Sequence, residues 1–340
     1  VDGGLGVMGL FFHETEEEKA KRLTAMRNAQ QGAAQHLLPP SVSVFAAAAT
    51  GNKSWFTGGG HMGFFNQGRI RYLGGVGYGD VNLNYFGSGN IALKSPVELK
   101  TKASGIFQTI KFKIADSPFF VGIGQRYINA NISLNSLGDI GSLLPPDYSD
   151  KLKALFNQDV TTSGLGFNLE YDTRDNIFSP GQGYRYTLEQ LWFREGFSSD
   201  VNYELIRFQG LNYWPVSEKW QLGLKLNSEY AKTDELLPPF ATPSISLRGI
   251  PAMRYQGNFI AAIETELLWH LDTRWSVLGF VGSGRASNST TEFSNAENRN
   301  TSGLGFRYLI ARRYGFNMGA DIAQGPEDTV FYITVGSAWR

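Results

Sequence analysis

Apolar and polar residues alternate along most of this chain, in stretches about the length of a β-strand. Leu165, Phe167, Leu169 and Tyr171 interleave with Gly166, Asn168, Glu170 and Asp172, and Trp220, Leu222, Leu224 and Leu226 with Gln221, Gly223, Lys225 and Asn227. Near the end, Phe316, Met318, Ala320 and Ile322 alternate with Asn317, Gly319 and Asp321. Successive side chains of a strand point to opposite faces, so a period of two predicts strands with one apolar and one polar face. No run approaches the roughly 18 apolar residues of a membrane-spanning helix. Many such strands and few helices predict an all-β fold, a transmembrane antiparallel β-barrel in preference to a soluble sandwich.

Fifteen segments carry the pattern: Gly4–His13, Ser41–Thr50, Ser54–Phe65, Arg69–Phe86, Val97–Ile114, Phe119–Ile132, Ser163–Thr173, Tyr184–Arg194, Asn202–Trp214, Trp220–Ala231, Phe259–Leu271, Trp275–Ala286, Ser302–Ala311, Phe316–Ala323 and Thr329–Trp339. Short connections such as Asn66–Gly68, Ala115–Pro118, Val216–Lys219 and Arg312–Gly315 trade places with long ones at Asn135–Thr162, Lys232–Asn258 and Ser287–Thr301. Outer-membrane barrels sort their loops by length in this way, with short periplasmic turns and long outer loops. They also have even strand numbers, so sixteen strands are expected, the missing one lying before Val1. The whole chain, 1–340, reads as one barrel domain.

Glu14–Leu38 breaks the period. Ala20, Leu23, Met26, Ala33 and Leu37 recur at helical spacing behind an acidic first turn, and Pro39-Pro40 ends the run. A helix on the barrel rim is the plain reading; a plug or gate for the lumen is the sharper one. A second short helix is expected at Asp147–Phe156.

Composition sharpens the class. Charged residues make up 18% of the chain, against roughly 25% in soluble domains. Glycine (40 residues) and aromatics (14%) are abundant, as expected for crowded pleats and interface girdles. Net charge is zero, which gives no handle for nucleic acid. The absence of cysteine excludes disulfides and thiolate chemistry. Gly4, Gly6 and Gly9 satisfy a dinucleotide-type glycine spacing but alternate within a strand, and His13, His36, His61 and His270 are scattered. No cofactor, metal site or catalytic set is expected. Asp172 and Asp175 flank Arg174, which reads as a turn-closing salt bridge and Asx network.

Three motifs then agree. Tyr171, Asp172, Thr173, Arg174, Asp175 and Asn176, followed by Pro180 and Gly183, resemble the Y-D-T-R-D-N-x-x-x-P-x-x-G strand and turn of the bacterial surface antigen family, the barrel of the BamA/TamA outer-membrane assembly superfamily. Leu247, Arg248, Gly249 and Ile250 resemble that family's V-R-G-F/Y loop tip. Phe331, Tyr332, Gly336 and Trp339 resemble its C-terminal targeting strand. The likeness covers Gly164 to Trp339 well and the first half more loosely.

The resemblance implies a sixteen-strand barrel whose loop 232–258 folds into the lumen, where Arg248 meets acidic groups of the wall. Alternation on Phe259–Leu271 supplies them independently: Glu264 and Glu266 share one face, while Ala261, Ile263, Thr265, Leu267 and Trp269 share the lipid-facing one. A guanidinium inside a barrel needs carboxylates to offset its desolvation. The chain departs from the family at Phe280–Gly284, where F-x-D-x-G has lost its Asp, so a looser lock is expected. Val1 already opens a strand, so a member lacking POTRA domains is expected.

Function follows as an expectation. The resemblance implies a bacterial outer-membrane protein in contact with lipopolysaccharide and phospholipid, assisting protein or lipid insertion or translocation, with a periplasmic or lipoprotein partner delivering substrate. The alternative is a gated passive pore or a purely structural barrel. Mixed-sign pairs on one face (Lys111 and Lys113, Glu170 and Asp172, Lys225 and Glu229) suggest internal salt bridges in place of a one-sign filter. An enzyme is not expected.

Overall fold

The computed structural model describes residues 4–20, 24, 40–88, 91–134, 159–312, 314–336 and 339. Fifteen strands form one antiparallel sheet in strict chain order. They are β1 (Gly4–His13), β2 (Ser41–Thr50), β3 (Trp55–Phe65), β4 (Ile70–Ser88), β5 (Ile91–Lys113), β6 (Phe119–Leu134), β7 (Asp159–Asp172), β8 (Gly183–Phe193), β9 (Tyr203–Pro215), β10 (Trp220–Lys232), β11 (Phe259–His270), β12 (Trp275–Ser287), β13 (Arg299–Ala311), β14 (Phe316–Gln324) and β15 (Thr329–Val335). The sixteenth strand called for by even numbering is not among the described residues.

Burial follows the alternation with the faces reversed relative to a soluble protein. The apolar side chains point outward, with Ile123 at 66%, Leu304 at 67% and Ile333 at 73% exposure, whereas Glu170, Glu264 and Asp321 are buried. That inversion is what hydrocarbon outside and a packed polar lumen inside require. At the end carrying the short turns, aromatic rings line the outer wall: Phe119 lies 4.9 Å from Tyr171, Trp220 stacks on Trp269 at 5.5 Å, and Trp275 lies 4.7 Å from Tyr308. Amphipathic rings settle at a membrane interface, so this turn side marks one boundary.

Adjacent strands are joined by backbone ladders from β1 to β15. Among the described residues, no ladder joins β15 back to β1. The two edges meet instead through side chains at the turn side, where Leu10 and Phe12 of β1 and Val335 of β15 pack around Val42, Phe178 and Phe316. Phe12 stacks on Tyr314 with centroids 4.4 Å apart, and the Tyr314 hydroxyl donates to Glu14 Oε2 at 3.1 Å.

Three differences from the sequence reading have physical causes. β4 and β5 run to 19 and 23 residues, longer than expected, because the hairpin continues past a bulge between Tyr85 and Gly87. β15 stops at Val335, not at Trp339. Gly336 takes φ +79°, a left-handed conformation that ends the strand, and Trp339 is buried against Leu211 and Tyr213 of β9. In the connection after β1, residues 16–20 are helical. Thr15 and Glu18 cap this helix reciprocally, with the Glu18 N–H donating to Thr15 Oγ1 at 3.2 Å and the Thr15 N–H to Glu18 Oε2 at 2.8 Å. Most of the helix expected over Glu14–Leu38, and all of that at Asp147–Phe156, lies outside the described residues.

Candidate functional site

The connection between β10 and β11 turns into the barrel because its own apolar residues have a wall to bury against. Ile245, Leu247 and Ile250 form a buried cluster with Ala262 of β11. The wall is cut away to receive them: a Cβ on Gly284 would sit 2.8 Å from Ile245, and one on Gly282 3.2 Å from Leu247. Gly282 stands where the resemblance implies an aspartate, and its lack of a side chain makes room for Leu247.

Leu247 and Ile250 bracket Arg248, which points into a nest of carboxylates. Its Nη2 lies 2.9 Å from Glu264 Oε1 and 2.8 Å from Glu266 Oε2, and its Nη1 lies 3.1 Å from Asp321 Oδ2. Nε donates to Glu264 Oε1 at 3.1 Å, and the backbone N–H of Arg248 donates to Glu264 Oε2 at 3.3 Å. The guanidinium also stacks 3.6 Å above the Phe280 ring. Gly249 then passes close to the end of β14 with φ +95°, where a Cβ would lie 3.0 Å from Gly325 N and 3.1 Å from Gln324 O. Its N–H donates to the Tyr332 hydroxyl of β15 at 2.9 Å. A single loop tip therefore touches β11, β12, β14 and β15.

Two members of this site escaped sequence reasoning. Asp321 of β14 receives Arg248 and is held by Arg307 of β13, with Oδ1 2.5 Å from Nη1 and Oδ2 3.0 Å from Nη2. The carboxylate absent from β12 has a counterpart on β14, where Asp321 meets Arg248 from the other side of the loop. The available signal was that Asp321 is the only acid in an otherwise uncharged strand. The second is Trp339, whose Nε1 donates to Glu264 Oε1 at 2.5 Å. Its ring packs where β10 carries Gly223; a Cβ there would come within 2.6 Å.

A second anchor holds the same loop from above. Arg254 pairs with Glu327 in the β14–β15 connection, Tyr255 donates to Glu327 Oε1 at 3.0 Å, and the Arg254 guanidinium covers Phe86 of β4 at 3.5 Å. The hydrogen bond from Arg254 holds the Glu327 carboxyl below its ordinary value, partial burial opposes this, and the Tyr255 hydroxyl adds to it.

The rest of the lumen wall is cross-braced. Glu170 binds Arg71 at 2.7 Å, Lys111 at 2.7 Å and Arg185 at 3.1 Å. Glu189 binds Arg126 at 2.6 Å, and Glu229 binds Arg207 at 2.9 Å. The Tyr171–Gly183 motif closes the turn side. Arg174 forks onto Asp172 at 2.9 and 3.0 Å, Asp175 Oδ1 accepts the Gly181 N–H at 2.9 Å, and Asn176 Oδ1 accepts the Phe178 N–H at 2.7 Å. Gln221 donates to the Pro180 carbonyl at 2.8 Å, and Gly183 takes φ +104°. The turn reaches across to β13–β14: Asn176 Nδ2 donates to the Tyr314 carbonyl at 3.2 Å and Asn317 Nδ2 to Ser179 Oγ at 2.7 Å. Tyr171 itself faces outward in the girdle. Phe331 also faces outward, whereas Tyr332 faces the lumen.

This arrangement can position a loop, bridge strands and fill a lumen. Among the described residues, no group of acids and histidines is placed to hold a metal ion. Geometry therefore defines a class: a membrane β-barrel whose lumen is occupied by an inward loop pinned by a buried arginine.

The family follows from comparison. A family model described as the Omp85 superfamily domain matches residues 82–326, and the chain belongs to that superfamily, whose barrels are outer-membrane proteins. Its fold is similar to that of BamA from Haemophilus ducreyi lacking POTRA domains 1–3, with a TM-score of 0.57 and 14% identity over 87% of this chain and 63% of that one. It is also similar to CdiB from Acinetobacter baumannii, with a TM-score of 0.55 and 12% identity over 88% of this chain and 54% of that one. The chain thus spans less than two thirds of either protein. No curated protein matches it in sequence.

Proposed function

We propose that this barrel assists the insertion or translocation of protein, or of lipid, at the bacterial outer membrane, and that it works through a weak seam between its first and last strands, which among the described residues are β1 and β15. The observation that carries the reading is that, among the described residues, ladders join every neighbour from β1 to β15 and none joins β15 back to β1, while side chains of both strands pack on one cluster. An edge with unmade backbone hydrogen bonds can template an incoming strand, and a locally weakened wall thins the adjacent bilayer. Leu5 and Val7 on β1 and Phe331 and Ile333 on β15 are among the most exposed apolar residues, as suits edges that face an incoming apolar strand. The inward loop and the cross-braced wall favour a filled lumen over an open pore. A periplasmic or lipoprotein partner would deliver substrate, and no cofactor or catalytic step enters the scheme.

Planar-bilayer recording tests the reading against a gated pore. A plugged assembly barrel is silent as wild type and flickers after Arg248→Ala. Large steady currents that change little on Arg248→Ala would favour the pore.

A further inference from the structure

A row of polar residues crosses the outer wall of β1–β6 among exposed apolar residues such as Phe45, Val76, Ile106 and Ile123. Phe11, two residues from His13, pairs with Ser43, and Ser43 pairs with His61, so the three polar residues share a face. His61 pairs with Gly74, which shares its face with Tyr72; Gly74 pairs with Gln108, and Gln108 with Gln125. This face is the outer one, because Arg71, Lys111 and Arg126, which hold the lumen ion pairs, fall on the opposite parity.

The residues form a connected row. Ser43 Oγ lies 2.8 Å from His13 Nε2 and 2.9 Å from His61 Nδ1. The His61 and Tyr72 rings are 6.3 Å apart, Tyr72 donates to Gln108 Oε1 at 3.5 Å, and Gln108 Nε2 donates to Gln125 Oε1 at 2.6 Å. Along β6 the same face continues through Tyr127 to Asn129, whose Nδ2 donates to Thr161 of β7 at 3.0 Å.

Depth decides what the row can do. A strand rising about 3.4 Å per residue at a tilt near 40° gains about 2.6 Å of depth per residue. His13 ends β1 at the turn side, Gln125 lies about 16 Å deep counted from Phe119, and Asn129 about 26 Å. The apolar band of such barrels is about 25 Å tall. The bonded row therefore reaches from the turn-side boundary to about 16 Å of depth, and Tyr127 and Asn129 carry its face on to the far boundary. The outward faces of β7, β10 and β14 read Leu165-Phe167-Leu169, Leu222-Leu224-Leu226 and Met318-Ala320-Ile322 over the same span.

Polar side chains facing hydrocarbon are costly unless bonded, and their mutual bonds reduce that cost. An amide has four hydrogen-bonding sites, and the bond from Gln108 engages one on Gln125. A lipid headgroup crossing the bilayer faces the same desolvation cost and is relieved by the same partners. The row contains no Asp, Glu, Lys or Arg, so it offers donors and acceptors without a fixed charge that would trap or repel an ion. We propose that the outer wall of β1–β6 is a track along which zwitterionic phospholipid headgroups cross between leaflets, giving the barrel a lipid-scrambling activity. This rests on the barrel spanning a membrane but requires neither seam opening nor release of Arg248.

The test reconstitutes the purified chain into phosphatidylcholine vesicles carrying a trace of short-chain fluorescent phosphatidylcholine in both leaflets. Albumin, which is too large for the lumen, extracts the outer-leaflet probe. Wild type should make nearly the whole probe pool extractable, where protein-free vesicles release only the outer-leaflet share. The variant His61→Leu/Gln108→Leu/Gln125→Leu should be about tenfold slower, equivalent to raising the crossing barrier by about 1.4 kcal/mol. Thr265→Val, on the far outer wall, should keep the wild-type rate. Folding is checked by heat-modifiable gel mobility, and Gln125→Leu alone replaces the triple variant if that fails to fold. Wild-type vesicles no more extractable than empty ones, or a folded variant scrambling at the wild-type rate, would overturn the proposal.

Discussion

Replacing Arg248 by alanine should unpin the inward loop without unfolding the barrel. The substitution removes the shared counter-charge of Glu264, Glu266 and Asp321, whose side chains are 2%, 16% and 0% exposed. Asp321 keeps Arg307 and Glu264 keeps the indole N–H of Trp339. Among the described residues, Glu266 forms an ion pair with Arg248 alone. Breaking a buried pair from one side costs about 3–5 kcal/mol, and a desolvated guanidinium over a ring contributes up to about 2 kcal/mol. Proton uptake by a stranded carboxylate returns part of this, so about 3–5 kcal/mol remains for loop docking. At about 1.4 kcal/mol per decade, the undocked population rises between about a hundredfold and several thousandfold. Hydrogen exchange reads this directly, because the amides of Ile245, Ile250 and Gly257 are bonded within the loop to Tyr255, Leu247 and Pro243. Their exchange should accelerate by that factor while the ladders of β7–β10 stay protected. Exchange within a few-fold of wild type would refute the reasoning and make Arg248 a passenger.

Three further outcomes are expected. Asp321→Asn strips the counter-charge from buried Arg307 and should lower stability by about 3–5 kcal/mol in denaturant titration; adding Arg307→Met should recover most of the loss. Trp339→Phe keeps the packing against Tyr213 but loses a bond to a carboxylate, so the same titration should show a loss of about 1.5–3 kcal/mol. Because the Glu327 carboxyl is held below its ordinary value of 4.5, its anchoring of Arg254 is complete above that value and is lost as pH falls through the lower folded value. Exchange of residues 252–256 should therefore be insensitive to this group between pH 8 and pH 5 (apart from the intrinsic chemistry) and rise in stronger acid, and Glu327→Gln should abolish that acid response.

Much of the barrel was readable because each strand carries its own evidence. The alternation from Trp220 to Leu226 states both that a strand is present and which face meets lipid, with no knowledge of its neighbours. Glu264 and Glu266 were readable as a wall for Arg248 for the same reason: all the information lies on one strand and one loop tip. Asp321 was visible as an inward acid, but its meeting with Arg248 depends on how far the sheet curls, which no local pattern encodes. Trp339 was read as strand because its aromatic character fits a terminal strand, whereas Gly336 breaks the backbone first and the indole finds a carboxylate. His13 and His61 looked scattered, since only the register of β1 against β2 and β2 against β3 brings both rings to Ser43. Lengths failed where turn residues misled: Gly87 marks a bulge in β4, not the end of a strand.

The central claim is that the seam between β1 and β15 performs the work, and the lack of native cysteine allows it to be tested cleanly. Leu10 of β1 and Val335 of β15 pack against the same buried cluster, so a Leu10→Cys/Val335→Cys variant oxidised in the presence of a short dithiol spacer can bridge the two edges. An unfolded outer-membrane β-barrel diluted from urea onto vesicles containing the reduced variant, which bypasses any delivery partner, should insert faster than onto empty vesicles. Oxidation should abolish that acceleration and reduction should restore it. Equal acceleration with the seam bridged, or none with the seam open, would contradict the assignment.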